Sequence, residues 1–114
     1  MIQVKTGKGF SAATQATIGI DYSTVFEKPS GQPNVELKVV VWDTAGQERF
    51  QSMAKAFYQK AQGVMICYDT TRKESFDHVS NWARAVKDNC VGTVPCHLIG
   101  TKVDLDDERL VSRE

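Results

Sequence analysis

The chain has 114 residues, 41% of them hydrophobic and 25% charged, and its 14 Lys and Arg equal its 14 Asp and Glu. That is the length and composition of one ordinary globular domain, and the zero net charge excludes a global field that would draw it to nucleic acid or to anionic lipid. The longest apolar runs, Val39 to Trp42 and Gly63 to Tyr68, are far too short to cross a bilayer, and Met1 to Phe10 has no apolar signal-peptide core, so a cytoplasmic location is expected.

From Ile18 to Phe26 the residues Ile18, Ile20, Tyr22, Thr24 and Phe26 alternate with Gly19, Asp21, Ser23 and Val25, the period of a half-buried strand. The cluster Pro29, Ser30, Gly31, Gln32, Pro33 and Asn34 reverses the chain, and Val35 to Trp42 returns as the second strand of an antiparallel hairpin. Phe50, Met53, Ala54 and Phe57 then recur at helical spacing, predicting a helix over Glu48 to Lys60.

Gly63 to Asp69 is a continuous apolar run, as expected of a strand covered on both faces, and Thr70 to Lys73 follows as a loop. Phe76, Val79, Ala83, Val86 and Cys90 step by three and four residues, predicting one helix with a single apolar stripe. Val94 to Gly100, with Pro95 confined to its start, reads as another buried strand, and Asp106 to Glu114 as the opening of a further helix. Strand, helix, strand, helix, strand is α/β wiring with parallel strands joined by crossovers. Cys67, Cys90 and Cys96 lack the short paired spacing of zinc or redox motifs and are expected as packed thiols.

In an open parallel sheet, ligands bind beyond the carboxyl ends of the strands, and polar residues lie at those ends here. After the second strand, Asp43 is placed to hold Mg²⁺ through water, Gly46 lets a backbone N–H approach a terminal phosphate, and Gln47 carries an amide suited to orienting a water. Thr101, Lys102 and Asp104 follow the Val94 to Gly100 strand, where the carboxylate of Asp104 can accept two hydrogen bonds from a guanine edge and Lys102 can lie over the ring. Thr17, ahead of the hairpin, offers a hydroxyl to Mg²⁺ and an N–H to a γ-phosphate. Each piece also has a plain reading as a turn, a strand start or a solvated loop. The nine-residue run Trp42 to Phe50 does not, because its order is too long to arise from turn chemistry alone.

With that run, the chain resembles a small GTPase of the Ras superfamily, and specifically its Rab branch. Ala16 to Tyr22 is similar to the Rab switch I and the strand after it, and Trp42 to Phe50 to the Rab switch II. Phe57 to Gly63, Tyr68 to Thr71, and Glu74, Ser75, Phe76 and Trp82 continue the likeness. The resemblance implies a Ras-like P-loop NTPase fold, a doubly wound α/β sheet, with residues 1–114 forming a single partial domain from switch I through the guanine-specificity motif. It implies GTP or GDP and Mg²⁺ as cofactors, with Thr17 and Asp43 on the metal. Thr17 and Gly46 would meet the γ-phosphate, Gln47 the attacking water, and Thr101, Lys102 and Asp104 the guanine. Thr101 departs from the usual Asn, although the Rho branch also carries Thr there. Implied partners are an exchange factor, an activating protein and Rab effectors, which would read exposed aromatics at Tyr22, Trp42 and Phe57.

A phosphate-binding loop of Gly, four residues, Gly, Lys and Ser or Thr is not found. Gly7 and Lys8 are the candidates, but Ile2 sits where the first Gly belongs and Gly9 where the hydroxyl belongs. By the resemblance, the first strand with that loop, the last strand and helix, and a lipidated tail are expected to be missing, leaving no membrane anchor in this chain. Losing about five charge-assisted hydrogen bonds at roughly 1.5–3 kcal/mol each would cost on the order of 7–15 kcal/mol of nucleotide affinity. The expected function is therefore a Rab-like GTP switch in vesicle trafficking with impaired binding. The alternatives are a decoy that occupies effectors through its aromatic surface, or a nonfunctional fragment.

Overall fold

In the computed structural model, which describes residues 20–44 and 56–112, the aromatic and β-branched residues after Ile20 form strand β1 (Ile20–Glu27), and β2 (Leu37–Thr44) pairs with it antiparallel. The register runs from Ile20 opposite Thr44 to Glu27 opposite Leu37, so the expected hairpin is present; β1 ends one residue later than its alternation suggested and β2 begins two residues later, while residues 18 and 19 lie outside the described residues. Two successive turns close it. Gln32 N–H donates to Pro29 O at 3.1 Å with Gly31 at φ 80°, the left-handed third position that a type II turn assigns to glycine. Val35 N–H then donates to Gln32 O at 3.0 Å, with Pro33 presetting the bend.

The chain divides into two compact units, Met1–Ala54, which holds this hairpin, and Lys55–Glu114. Within the second, residues 56–58 are helical, the described part of the helix expected over Glu48 to Lys60. Strand β3 (Val64–Asp69) pairs in parallel with β4 (Cys96–Thr101), from Val64 opposite Cys96 to Asp69 opposite Thr101. Parallel neighbours require a crossover, and helices α1 (Lys73–Asp77) and α2 (Val79–Asn89) supply it.

One continuous helix was expected from Phe76 to Cys90, and the structure instead breaks it at His78. Ser80 Oγ donates to Asp77 O at 3.4 Å, a side-chain bond that competes with the helical ladder at the break. The inward stripe of α2 also differs: Trp82 is half-buried and Ala83 exposed, because the helix restarts at Val79 and places positions three and seven later, Trp82 and Val86, on its inner face.

Ile66, Val86 and Val111 are the buried apolar residues among those described. Val64, Ile66 and Tyr68 share one face of the β3–β4 pair, and Phe76 of α1 meets Tyr68 edge-on at 5.0 Å between ring centroids. The other face carries Met65, Cys67 and His97, all exposed, so within the described residues β3 is covered on one side rather than two, and β4, expected as a buried strand, leaves Cys96, His97 and Leu98 exposed. For the same reason Cys67 is exposed; Cys96, opposite Val64 at the start of β4, is exposed as well, and Cys90 is half-buried, so of the three thiols expected to be packed only Cys90 is so in part. The helix expected over Asp106 to Glu114 is a single 3-10 turn, Asp106–Glu108, because Arg109 turns to extended backbone at ψ 124°.

Candidate functional site

β3 and β4 end side by side, and their carboxyl ends bring Asp69, Thr70, Thr101 and Lys102 together. Asp69 closes β3 with a carboxylate that accepts from three donors. Oδ1 takes the Thr71 N–H at 2.9 Å and the Thr71 hydroxyl at 2.7 Å, and Oδ2 lies 2.7 Å from Lys102 Nζ. Partial burial pushes this carboxyl up, but the hydrogen bonds from Lys102 and Thr71 and the Lys102 charge outweigh it and hold it below the usual carboxylate value. Ser75 Oγ accepts the Asp69 N–H at 3.0 Å and lies 2.6 Å from Arg72 O as its donor, tying the strand end to the first turn of α1.

Thr70 is the most buried residue described, at 1% exposure. Its N–H donates to Thr101 O at 3.1 Å and its hydroxyl to the same oxygen at 2.9 Å. Its carbonyl accepts from the N–H groups of Leu110 at 2.9 Å and Val111 at 3.0 Å. In return the Thr101 hydroxyl donates to Tyr68 O at 2.8 Å, so this side chain binds the neighbouring strand. Gly100 stands where Tyr68 passes closely: a Cβ there would meet the Tyr68 hydroxyl oxygen at 2.9 Å.

Lys102 adopts φ 58°, the one left-handed non-glycine residue among those described. Its carbonyl accepts the Leu105 N–H at 3.0 Å, closing a turn that leaves the Asp104 side chain exposed. The turn after it is fixed by Arg109, whose Nε donates to Asp106 Oδ1 at 2.9 Å. Thr101, Lys102 and Asp104 thus lie together on one loop as their spacing suggested, with the Lys102 ammonium on Asp69.

In the hairpin unit, Asp43 lies near the carboxyl end of β2, exposed and directly opposite Asp21. Among the described residues no group of three or more His, Cys, Asp or Glu is gathered for a metal ion. Tyr22 and Trp42 occupy one register position and their rings lie 5.2 Å apart, with 61% and 47% of each residue exposed. Phe57, the third aromatic, is half-buried in the second unit. Thr17, Gly46 and Gln47 lie outside the described residues.

The sequence reads Asp69 as a strand end and Thr70 as the start of a loop, and gives neither a part in holding the Lys102 loop. The available signal was a carboxylate and two hydroxyls directly after an apolar strand, the place where side chains commonly bind the neighbouring turn.

Comparison with known proteins gives a consistent answer. A model of the Ras family matches residues 1–114. The chain is 38% identical over 105 residues to the Ras-related protein Rab-8B of Homo sapiens, covering 92% of this chain and 49% of that protein. Rab-8A of Mus musculus is also 38% identical, and Rab-8A of Gallus gallus 39%, with the same shares covered. The chain spans about half the length of the curated relatives it matches. With the family model matched from the first residue to the last and a parallel strand pair carrying the Lys102 loop at its carboxyl end, the chain belongs to the Ras family.

Proposed function

We propose that the loop after β4 reads a guanine base and that the protein to which this sequence belongs is a Rab-like GTP switch. The observation that carries this reading is the fixed Thr101–Lys102–Asp104 segment at the carboxyl end of β4, with an exposed acceptor at Asp104 and a lysine held in left-handed backbone. A carboxylate with two acceptor oxygens matches the N1–H and exocyclic amine of guanine, a pairing that adenine does not offer. The aliphatic stem of Lys102 is suited to cover the base plane while its ammonium stays on Asp69.

Mg²⁺ fits the chemistry of Asp43. This ion takes hard oxygen ligands and keeps several waters, so one carboxylate with a hydroxyl and substrate phosphates suffices, without a protein cage of three or more donors. Asp43 and Thr17 would hold it, and when bound it would offset phosphate charge. Gly46 would offer an N–H to the γ-phosphate and Gln47 its amide to the water that attacks in line. These roles come from family membership together with the position of each residue in the run from Trp42 to Phe50.

Effectors would bind the exposed Tyr22 and Trp42 pair of the hairpin. A place in vesicle trafficking is what the Rab resemblance implies, and no helix among the described residues is long and apolar enough to cross a membrane.

Uptake of a fluorescent GDP analogue by the purified chain, with Mg²⁺ present, tests the reading. Weak but saturable uptake, displaced by GDP and not by ADP, is the expected result. No uptake at high micromolar analogue, or equal displacement by ADP, overturns it for this chain.

A further inference from the structure

We propose that Thr70 is the positioning residue that sets the conformation of the guanine-reading segment Thr101 to Asp104. The inference rests on the guanine reading above and goes beyond it, since Thr70 itself does not face a ligand.

Thr70 is a polar residue at 1% exposure, and every polar group it has is used. Its single hydroxyl proton is shared between Thr101 O at 2.9 Å and Lys102 O at 3.3 Å. The N–H adds a second bond to Thr101 O, and the carbonyl takes Leu110 and Val111. One residue therefore fixes the two peptide groups that flank Lys102 and the chain that returns past them.

That fixing has a specific object. Lys102 at φ 58° sits in the left-handed region, which disfavours any residue with a Cβ and persists only when the surroundings over-determine it. The Lys102 carbonyl is held from one side by Leu105 N–H and from the other by the Thr70 hydroxyl. Its ammonium is held by Asp69, the residue before Thr70. Valine would fill the same volume and leave the strand pairing intact, while removing the one donor that reaches both carbonyls.

The test compares Thr70→Val with Thr70→Ser in the chain as it stands, using affinity for GDP and for IDP, whose base lacks the exocyclic amine, and the ¹³C titration of the Asp69 carboxyl. Thr70→Val is expected to weaken GDP about tenfold, as loss of one buried donor implies, and to narrow the preference for GDP over IDP. It is also expected to let the Asp69 carboxyl rise toward its ordinary value as the ammonium withdraws. Thr70→Ser is expected to retain all of these properties. A valine variant with the wild-type GDP to IDP ratio and the wild-type Asp69 titration overturns the proposal. Failure of the wild-type chain to bind GDP instead overturns the guanine reading, and the Asp69 titration then decides the positioning role alone. Should Thr70→Val not fold, Thr70→Cys, of similar size and with a weaker donor, carries the same comparison against serine.

Discussion

Lys102 Nζ lies 2.7 Å from Asp69 Oδ2, which ties the loop after β4 to the end of the neighbouring strand β3. The Asp69 side chain is 15% exposed and that of Lys102 53%, so the pair is screened on one side only. Because the folded carboxyl is held below its ordinary 3.8, the stability it contributes is present in full above that value and is lost as pH falls through the depressed one. Asp69→Asn is expected to lower stability by about 1 kcal/mol at neutral pH, at the upper end for a partly exposed pair, and to flatten the acid limb of stability. Thermal unfolding from pH 2 to 7 checks this, and an unchanged acid limb in the variant would sink it.

Asp104→Asn should change which base is preferred. The substitution replaces an acceptor oxygen with an N–H₂ donor, so guanine loses its match while xanthine, with a carbonyl at that position, gains one. GDP affinity is expected to fall about a hundredfold or more, as for a lost charge-assisted pair, with XDP now preferred over GDP. Competition of both nucleotides against a fluorescent analogue measures it. Equal loss of both would show that Asp104 supports the loop rather than reads the base.

The Tyr22 and Trp42 rings, 5.2 Å apart across the hairpin, contribute to strand pairing and form exposed apolar surface. Trp42→Ala is expected to cost about 0.5–1 kcal/mol of stability, the size of a cross-strand aromatic pair. Binding to a Rab effector should fall much further, by about tenfold or more, because aromatic anchors dominate interfaces. Calorimetry beside a thermal melt separates the two effects, and a binding loss no larger than the stability loss would remove the anchor role.

Burial pushes the Cys90 thiol up, with the neighbouring Cys96 adding to the effect, whereas Cys96 is exposed. Since the thiolate is the reacting form, iodoacetamide at pH 8 is expected to modify Cys96 several-fold faster than Cys90. Peptide mass spectrometry over a time course gives the order, and faster labelling at Cys90 would contradict the burial found for it.

Much of the fold was legible in the sequence because it depends on local pattern. Period-two alternation and a Pro–Gly turn cluster specify a hairpin wherever they occur, and two apolar runs separated by a helical stripe specify a parallel pair. The stripe did not reveal the break at His78, beside which the Ser80 hydroxyl reaches Asp77 O, nor the early end of the final helix at Glu108.

By itself the sequence determined the lineage, through the run from Trp42 to Phe50, and the residue types at the strand ends, including Thr101, Lys102 and Asp104. Only the tertiary structure decided how those last residues are held. Asp69 and Thr70 stand more than thirty positions from the loop they fix. Strand pairing in parallel register brings the two ends together. Hydrogen bonds act over about 3 Å and carry no trace in sequence spacing, so a buried threonine after an apolar strand shows its partners only once the strands are side by side.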